Sequence, residues 1–180
     1  MSREVDMLAL LKKRRSIRKF QKKEVEAEKV EMLIKSALLS PTSRNLFPWE
    51  FIVVTDKQLL QKISNSKAHG STFLKDAPLG IVVIANEEKS DVWVEDASIA
   101  SIILQLAAES IGLGSCWIQI RKRMHSETQT SEAYVKHTLN IPKPYKVESI
   151  IAIGYPDEQR QPYNEVHLQY KKIHKEKYSS

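Results

Sequence analysis

WVEDASIASIILQLAAESIGLGSCWIQI, residues 93–120, is the stretch on which the architecture turns. Residues 93–113 read as a long helix, apolar almost all round through Ala97, Ile99, Ile102, Ile103, Leu106, Ala107 and Ile111. Glu95, Asp96, Ser98, Ser101, Gln105 and Glu109 interrupt it, and carboxylates near both ends are costly in lipid. The helix therefore belongs in a protein core, or between two subunits. Gly112-Leu113-Gly114 ends it and opens a strand over residues 115–120. These glycines lead from a helix into a strand. The doubly wound nucleotide folds need glycines leading from a strand into a helix, and the P-loop pattern is absent too, so a nucleotide here has to be held by side chains.

Outward from this unit, further strands read at residues 51–55, 80–85 and 148–154, with helices at 3–11, 24–39 and 57–65. Ser40-Pro41 stops the second helix. Residues 80–85 are nearly all β-branched, which predicts a strand buried on both faces. Four strands among helices give a layered α/β or α+β domain. Beyond Gly154, residues 166–178 scatter Val166, Leu168, Tyr170, Ile173 and Tyr178 among lysines. Two readings fit this tail, a solvated helix and an arm laid across a second subunit.

The chain has 180 residues, 42% of them hydrophobic, with a formal charge of +6 and only five glycines and seven prolines, which suits one compact domain. The one cysteine, Cys116, forbids an internal disulfide, and acids near Met1 leave no signal-peptide pattern, so a reducing cytoplasm is the expected compartment. Cys116 sits in an apolar strand beside Trp117 and reads as a small core residue. The five histidines share no ligand spacing, which points away from a metal site, and no Ser/His/Asp elbow is present. An enzymatic reaction would then fall to a cofactor.

Two stretches carry candidate binding residues. In residues 12–19 six of eight are basic, the exceptions being Ser16 and Ile17. A solvated face, a nucleic-acid patch and a phosphate pocket all fit this run. Arg14, Arg15 and Arg18 offer guanidinium forks and Ser16 a hydroxyl, while Ile17 and Phe20 would anchor the run to a core. Residues 40–51 form a polar loop carrying Thr42, Ser43 and Asn45, where turn formation is the default and ligand binding the alternative.

Taken in order, Arg14-Arg15-Ser16-Ile17-Arg18-Lys19-Phe20, Ser40-Pro41-Thr42-Ser43-Arg44-Asn45 closing with Pro48-Trp49, Ala77-Pro78 before a strand, Gly112-Leu113-Gly114-Ser115-Cys116-Trp117-Ile118, and Ile153-Gly154-Tyr155-Pro156 resemble the nitroreductase family of FMN-dependent oxidoreductases. The likeness runs over nearly the whole chain. It implies an α+β fold with a mostly antiparallel sheet flanked by helices, one domain over residues 1–180, and an interlocked homodimer in which residues 155–180 form an arm on the partner. It also implies FMN at the dimer interface. Arg14, Arg15 and Ser16 would hold the phosphate and ribityl chain, Arg18 would lie by the pyrimidine end, and Arg160 would add a phosphate contact. Pro41, Thr42, Ser43 and Asn45 would reach in from the other subunit, and the backbone at Ile118 and Gln119 would face flavin N5.

The chemistry implied is hydride transfer from NADH or NADPH to nitroaromatic, quinone or similar acceptors by a ping-pong route, with Arg18 as the tuning cation and no protein acid or base. Two features depart from the family pattern. Phe47 stands where a glutamine often precedes Pro-Trp, and Gln119 stands where glycine or glutamate is usual. Little room remains between Ile120 and Tyr134 for a covering insertion, so an open pocket is expected. Two alternatives stay open: a flavoprotein of the same fold with another reaction, such as dehalogenation, flavin reduction or ring cleavage, and a basic nucleic-acid-binding module, for which no recognised motif is present.

Overall fold

The computed structural model describes residues 6–178. Residues 3–5 of the expected first helix lie outside the described residues. Within them the helix α1 spans Met7–Lys13, with Asp6 accepting from the Ala9 N–H at 3.0 Å as its N-cap. It therefore runs two residues past the expected end, and Lys12 and Lys13 form its last turn, where cations meet the negative end of the helix dipole. Helix α2, Ala27–Leu38, starts later than residue 24, and Ser40-Pro41 follows it closely.

Then come β1 (Trp49–Val54), α3 (Lys57–Ser64), β2 (Leu79–Asn86), α4 (Trp93–Ser110), β3 (Gly114–Gln119), α5 (Ser131–Thr138) and β4 (Tyr145–Gly154). Helix α5 has no counterpart in the sequence reading. It is short, with Val135 its one buried apolar residue, and its start is marked by Thr130, whose hydroxyl accepts from the Ala133 N–H at 3.1 Å.

The strands form one antiparallel sheet in the order β1-β2-β4-β3. Strand β2 is buried on both faces, as its β-branched run predicts. Helices α2 and α4 cover one face through Leu33, Ala37, Leu104 and Ala108 against Ile81, Val83, Ile151 and Ile153. The other face takes α3 and α5, with Leu60, Ile63 and Val135 packed on Val82, Ile84, Ile150 and Ala152. A register shift between Val83 and Ile84 leaves Glu148 as an extra residue in β4, a bulge that turns its carboxylate toward α4.

Helix α4 is less uniformly apolar in place than on paper. Asp96, Ser101 and Gln105 are buried with the alanines, and Ile99 and Ile102 face outward. Two of these polar groups have partners on the sheet and loops around them: the Ser101 hydroxyl donates to the Ala97 carbonyl and meets Ser149 at 2.9 Å, while Asp96 accepts from Ser90 and from the Ser43 N–H. The tail is no continuous helix. Residues 155–178 carry only the 3₁₀ turns Glu165–His167 and Tyr170–Lys172, with Val166, Ile173 and Tyr178 exposed.

Candidate functional site

The basic run leaves α1 at Arg14 and is stitched along the outer edge of β3. Ser16 bridges to Ser115, and the Ile17 N–H donates to the Ser115 carbonyl at 2.9 Å. Four residues on, Phe20 bridges to Pro156, Gln21 donates to the Tyr155 carbonyl and Asp157 donates to that of Lys19, each N–H bond at 2.9 Å. Ile17 and Phe20 are buried in the core as expected; at about 1.5–3 kcal/mol for each such side chain, this burial pins the arginines between them. Gly114 makes the close approach possible, because a Cβ there would fall under 3 Å from Ile17, and its pair Gly154 does the same for Pro78.

Cys116 shows what this segment surrounds. Burial raises the pKa of its thiol, while Arg18, the Ser16 hydroxyl beside it, Lys67 and Arg14 pull it back. Lys67 is in turn pushed down by burial and by Arg123, with only Cys116 acting the other way. Arg18, Lys67 and Arg14 thus all act electrostatically on Cys116 in β3, with the Ser16 hydroxyl beside it. Sequence reading missed Lys67 and Arg123, since neither lies in a pattern that marks a loop as a site.

Not every expected donor stands free. Arg15 donates to the Gln161 carbonyl and lies 4.3 Å over the Tyr163 ring, holding the chain's own tail. The tail crosses the same segment again where Tyr163 N–H donates to the Lys12 carbonyl and Lys12 pairs with Glu165, both at 2.8 Å. Arg160 is paired with Glu158 at 2.7 Å. Burial pushes the Glu158 carboxyl up, but bonds from the Arg18 and Lys19 N–H groups, at 2.6 and 3.1 Å, and the Arg160 charge outweigh it, and the net shift is downward.

Residues 40–48 sit elsewhere. Their 3₁₀ turn, Ser43–Asn45, is bent by positive φ at Arg44 and Asn45, with Phe47 also in that region. Ser43 N–H donates to Asp96 at 2.8 Å, Thr42 Oγ1 accepts from Phe47 N–H at 3.1 Å, and Arg44 pairs with Asp91, while Pro41 and Asn45 are exposed. This loop enters β1 at Trp49, opposite Ala85, whereas Ser16 meets β3 at Ser115, which faces Ile153. The two lie at diagonal corners of the sheet, roughly 25 Å apart by strand spacing and rise. One chain does not bring Pro41, Thr42, Ser43 and Asn45 to Arg14, Ser16 and Arg18.

Between Ser115 and the end of β3, no described residue pairs with the outer edge of the strand. Ile118 is buried, and the Gln119 side chain is fixed by accepting from Trp117 Nε1 at 2.9 Å and donating to the Arg121 carbonyl at 3.1 Å. The site thus consists of an open strand edge, which offers main-chain donors and acceptors, flanked by cations. Such a donor set suits an anionic, planar, hydrogen-bonding group.

The nitroreductase family model matches this chain over residues 11–72 and 64–155. The chain belongs to the nitroreductase family. Membership makes this nitroreductase-family protein an oxidoreductase, and the α+β fold agrees. A solved FMN-dependent nitroreductase from Clostridium difficile is 51% identical and superposes with a TM-score of 0.95, covering 96% of this chain and all of that one. A curated relative from Archaeoglobus fulgidus, named a putative NADH dehydrogenase/NAD(P)H nitroreductase, is 33% identical over 96% of this chain and 99% of its own. An iodotyrosine deiodinase from Thermotoga neapolitana is 27% identical over 89% of this chain and 95% of its own. No helix among the described residues is long and apolar enough to cross a membrane.

Proposed function

We propose that the protein is a cytoplasmic, homodimeric FMN enzyme that passes reducing equivalents from NADH or NADPH to nitroaromatic, quinone or similar acceptors by a ping-pong route. The observation that carries this reading is the outer edge of β3, unpaired beyond Ser115 among the described residues, with the run that holds Arg14, Ser16 and Arg18 seated against its start. Those residues fit FMN: Arg14 and Ser16 would take the phosphate end, Arg18 and Lys67 would set positive charge against the pyrimidine, and the main chain at Gln119 would meet the ring edge, whereas Ile118, expected to share that role, is buried and turns its main chain to Ile150 of β4. Arg15 and Arg160 would act by holding residues 158–163 against this segment, and could turn to the phosphate on exchanging those partners. Bound FMN would supply the hydride acceptance and donation, so no side chain need act as acid or base.

The dimer explains the two corners. Pro41, Thr42, Ser43 and Asn45 of a second copy would complete each site, which one chain leaves half built. Exposed Met7, Leu8 and Leu11 on α1, Met32 and Leu38 on α2, and Ile99 and Ile102 on α4 supply the apolar surface for that copy, and residues 166–178 supply the arm. Residues 1–180 then form one domain.

Purification followed by a visible spectrum, and mass spectrometry of the released chromophore, tests the reading. FMN is the expected result, because the arginines would close on a terminal phosphate. Release of FAD, or no flavin uptake by the dimer on reconstitution, refutes it. Reductive dehalogenation is the second reading, favoured by the Thermotoga neapolitana relative; turnover of iodotyrosine in preference to nitroaromatics and quinones would select it.

A further inference from the structure

A second basic feature adjoins the site without belonging to it. A cleft of about 940 Å³ opens between residues 18–25, the junction of β1 with α3 at Thr55 and Lys57, and residues 75–78. Arg18 and five lysines line it, against the carboxylates Glu24, Asp76 and Asp157. Lys23 is held by Glu26 at 3.1 Å, but Lys19, Lys22, Lys57 and Lys75 make no ion pair with any described residue. Exposed cations gathered round one concavity repel one another, and a polyvalent anion bound among them relieves that repulsion. The volume suits a nucleotide-sized ligand. Arg18 is common to the cleft and to the strand-edge site, so a single extended ligand can occupy both.

We propose that this cleft takes the adenosine half of NADPH, with its lysines meeting the 2′-phosphate that NADH lacks, and that donor preference is set here. The inference rests on reading the protein as a nicotinamide-driven flavoenzyme. Its chemistry is that of a phosphomonoester on a nucleoside, met by lysines acting as compact charges.

Two measurements on the FMN-loaded dimer test it. In steady-state turnover, wild type should show higher kcat/KM with NADPH than with NADH, and the exposed double variant Lys57→Ala/Lys75→Ala should lose roughly tenfold more with NADPH, equivalent to about 1.4 kcal/mol. A wild-type ratio at or below one, or equal losses with both donors, overturns the proposal. Calorimetry then compares adenosine 2′,5′-bisphosphate with adenosine 5′-monophosphate: tighter binding of the bisphosphate, abolished in the double variant, supports the cleft, and equal binding overturns it. Should neither donor reduce the bound flavin, the proposed function fails, and the calorimetric comparison still decides the cleft.

Discussion

Two glycines that stand two residues apart allow a discriminating test of how the site is built. A Cβ placed on Gly114 would lie 2.8 Å from Ile17 Cγ1 and 2.9 Å from both Ile17 Cβ and Cγ2. Carbon atoms prefer about 3.5–4.0 Å, so Gly114→Ala should push the Ile17 backbone away from β3 by roughly 1 Å. Rotation cannot relieve this clash, because Ile17 Cβ itself is among the close atoms. Overpacking of this kind costs about 1–3 kcal/mol, and at about 2–4 °C per kcal/mol for a chain of this size the melting temperature should fall by roughly 2–12 °C. Gly112 is the control. Its φ is +78° and a methyl added there would have no atom within 4 Å, so Gly112→Ala costs only the left-handed conformation, about 1–2 kcal/mol. Both variants should lose stability, but only Gly114→Ala moves Ser16 and Arg18 relative to the strand edge. Fluorescence titration of the apoprotein with FMN should show affinity falling by roughly tenfold or more in Gly114→Ala and staying within about twofold in Gly112→Ala. Equal FMN affinity in the two variants would show that the close seating of residues 16–18 on β3 does not build the cofactor site.

Arg18→Ala removes a cation from the pyrimidine end, where charge grows on reduction; taking the lower end of about 1.5–3 kcal/mol for a charge-assisted contact, since Arg18 is exposed, the FMN midpoint should fall by about 30 mV. An unchanged potentiometric titration would remove Arg18 from the site. Glu148 is only 3% exposed; burial raises its pKa, and Arg121 at 4.0 Å, with Gln119 and Ser98, offsets that incompletely. An acid raised above its unfolded value of 4.5 does not burden the fold below that pH and costs stability as pH climbs through the folded value. Glu148→Gln should therefore melt higher than wild type at pH 8 and lose that advantage at pH 4, whereas a deficit at pH 8 would mean that the Arg121 pair outweighs the burial. A chain ending at Glu165 keeps Tyr163 on Arg15 and Glu165 on Lys12 but lacks the exposed residues 166–178. Light scattering with flavin absorbance should show dimer and FMN lost together, and a monomer with full FMN content would end the shared-site reading.

Much of the fold was legible because its signals are local. The β-branched run of β2, the Ser40-Pro41 stop and the glycines between α4 and β3 act within a few residues, and each marks an element the structure contains. Ile17 and Phe20 could be assigned to the core because two large apolar groups in a basic run have no other purpose. Helix α5 escaped notice, since eight residues with one buried apolar side chain carry almost no period.

What the sequence determined by itself was the family and the layered arrangement of four strands among helices, since motif order and strand composition are properties of the chain, and it marked the arginine run as a candidate anion site through its charge. What only the tertiary structure decided was which of those charges remain free. Arg15 and Arg160 look the same as Arg14 and Arg18 in sequence, yet Gln161, Tyr163 and Glu158 engage the first two, while Lys67 joins the cluster from more than forty residues away. The distance between residues 41–45 and residues 14–18 within one chain is likewise invisible along the chain. Strand order and register set it, by placing β1 and β3 at opposite edges of the sheet.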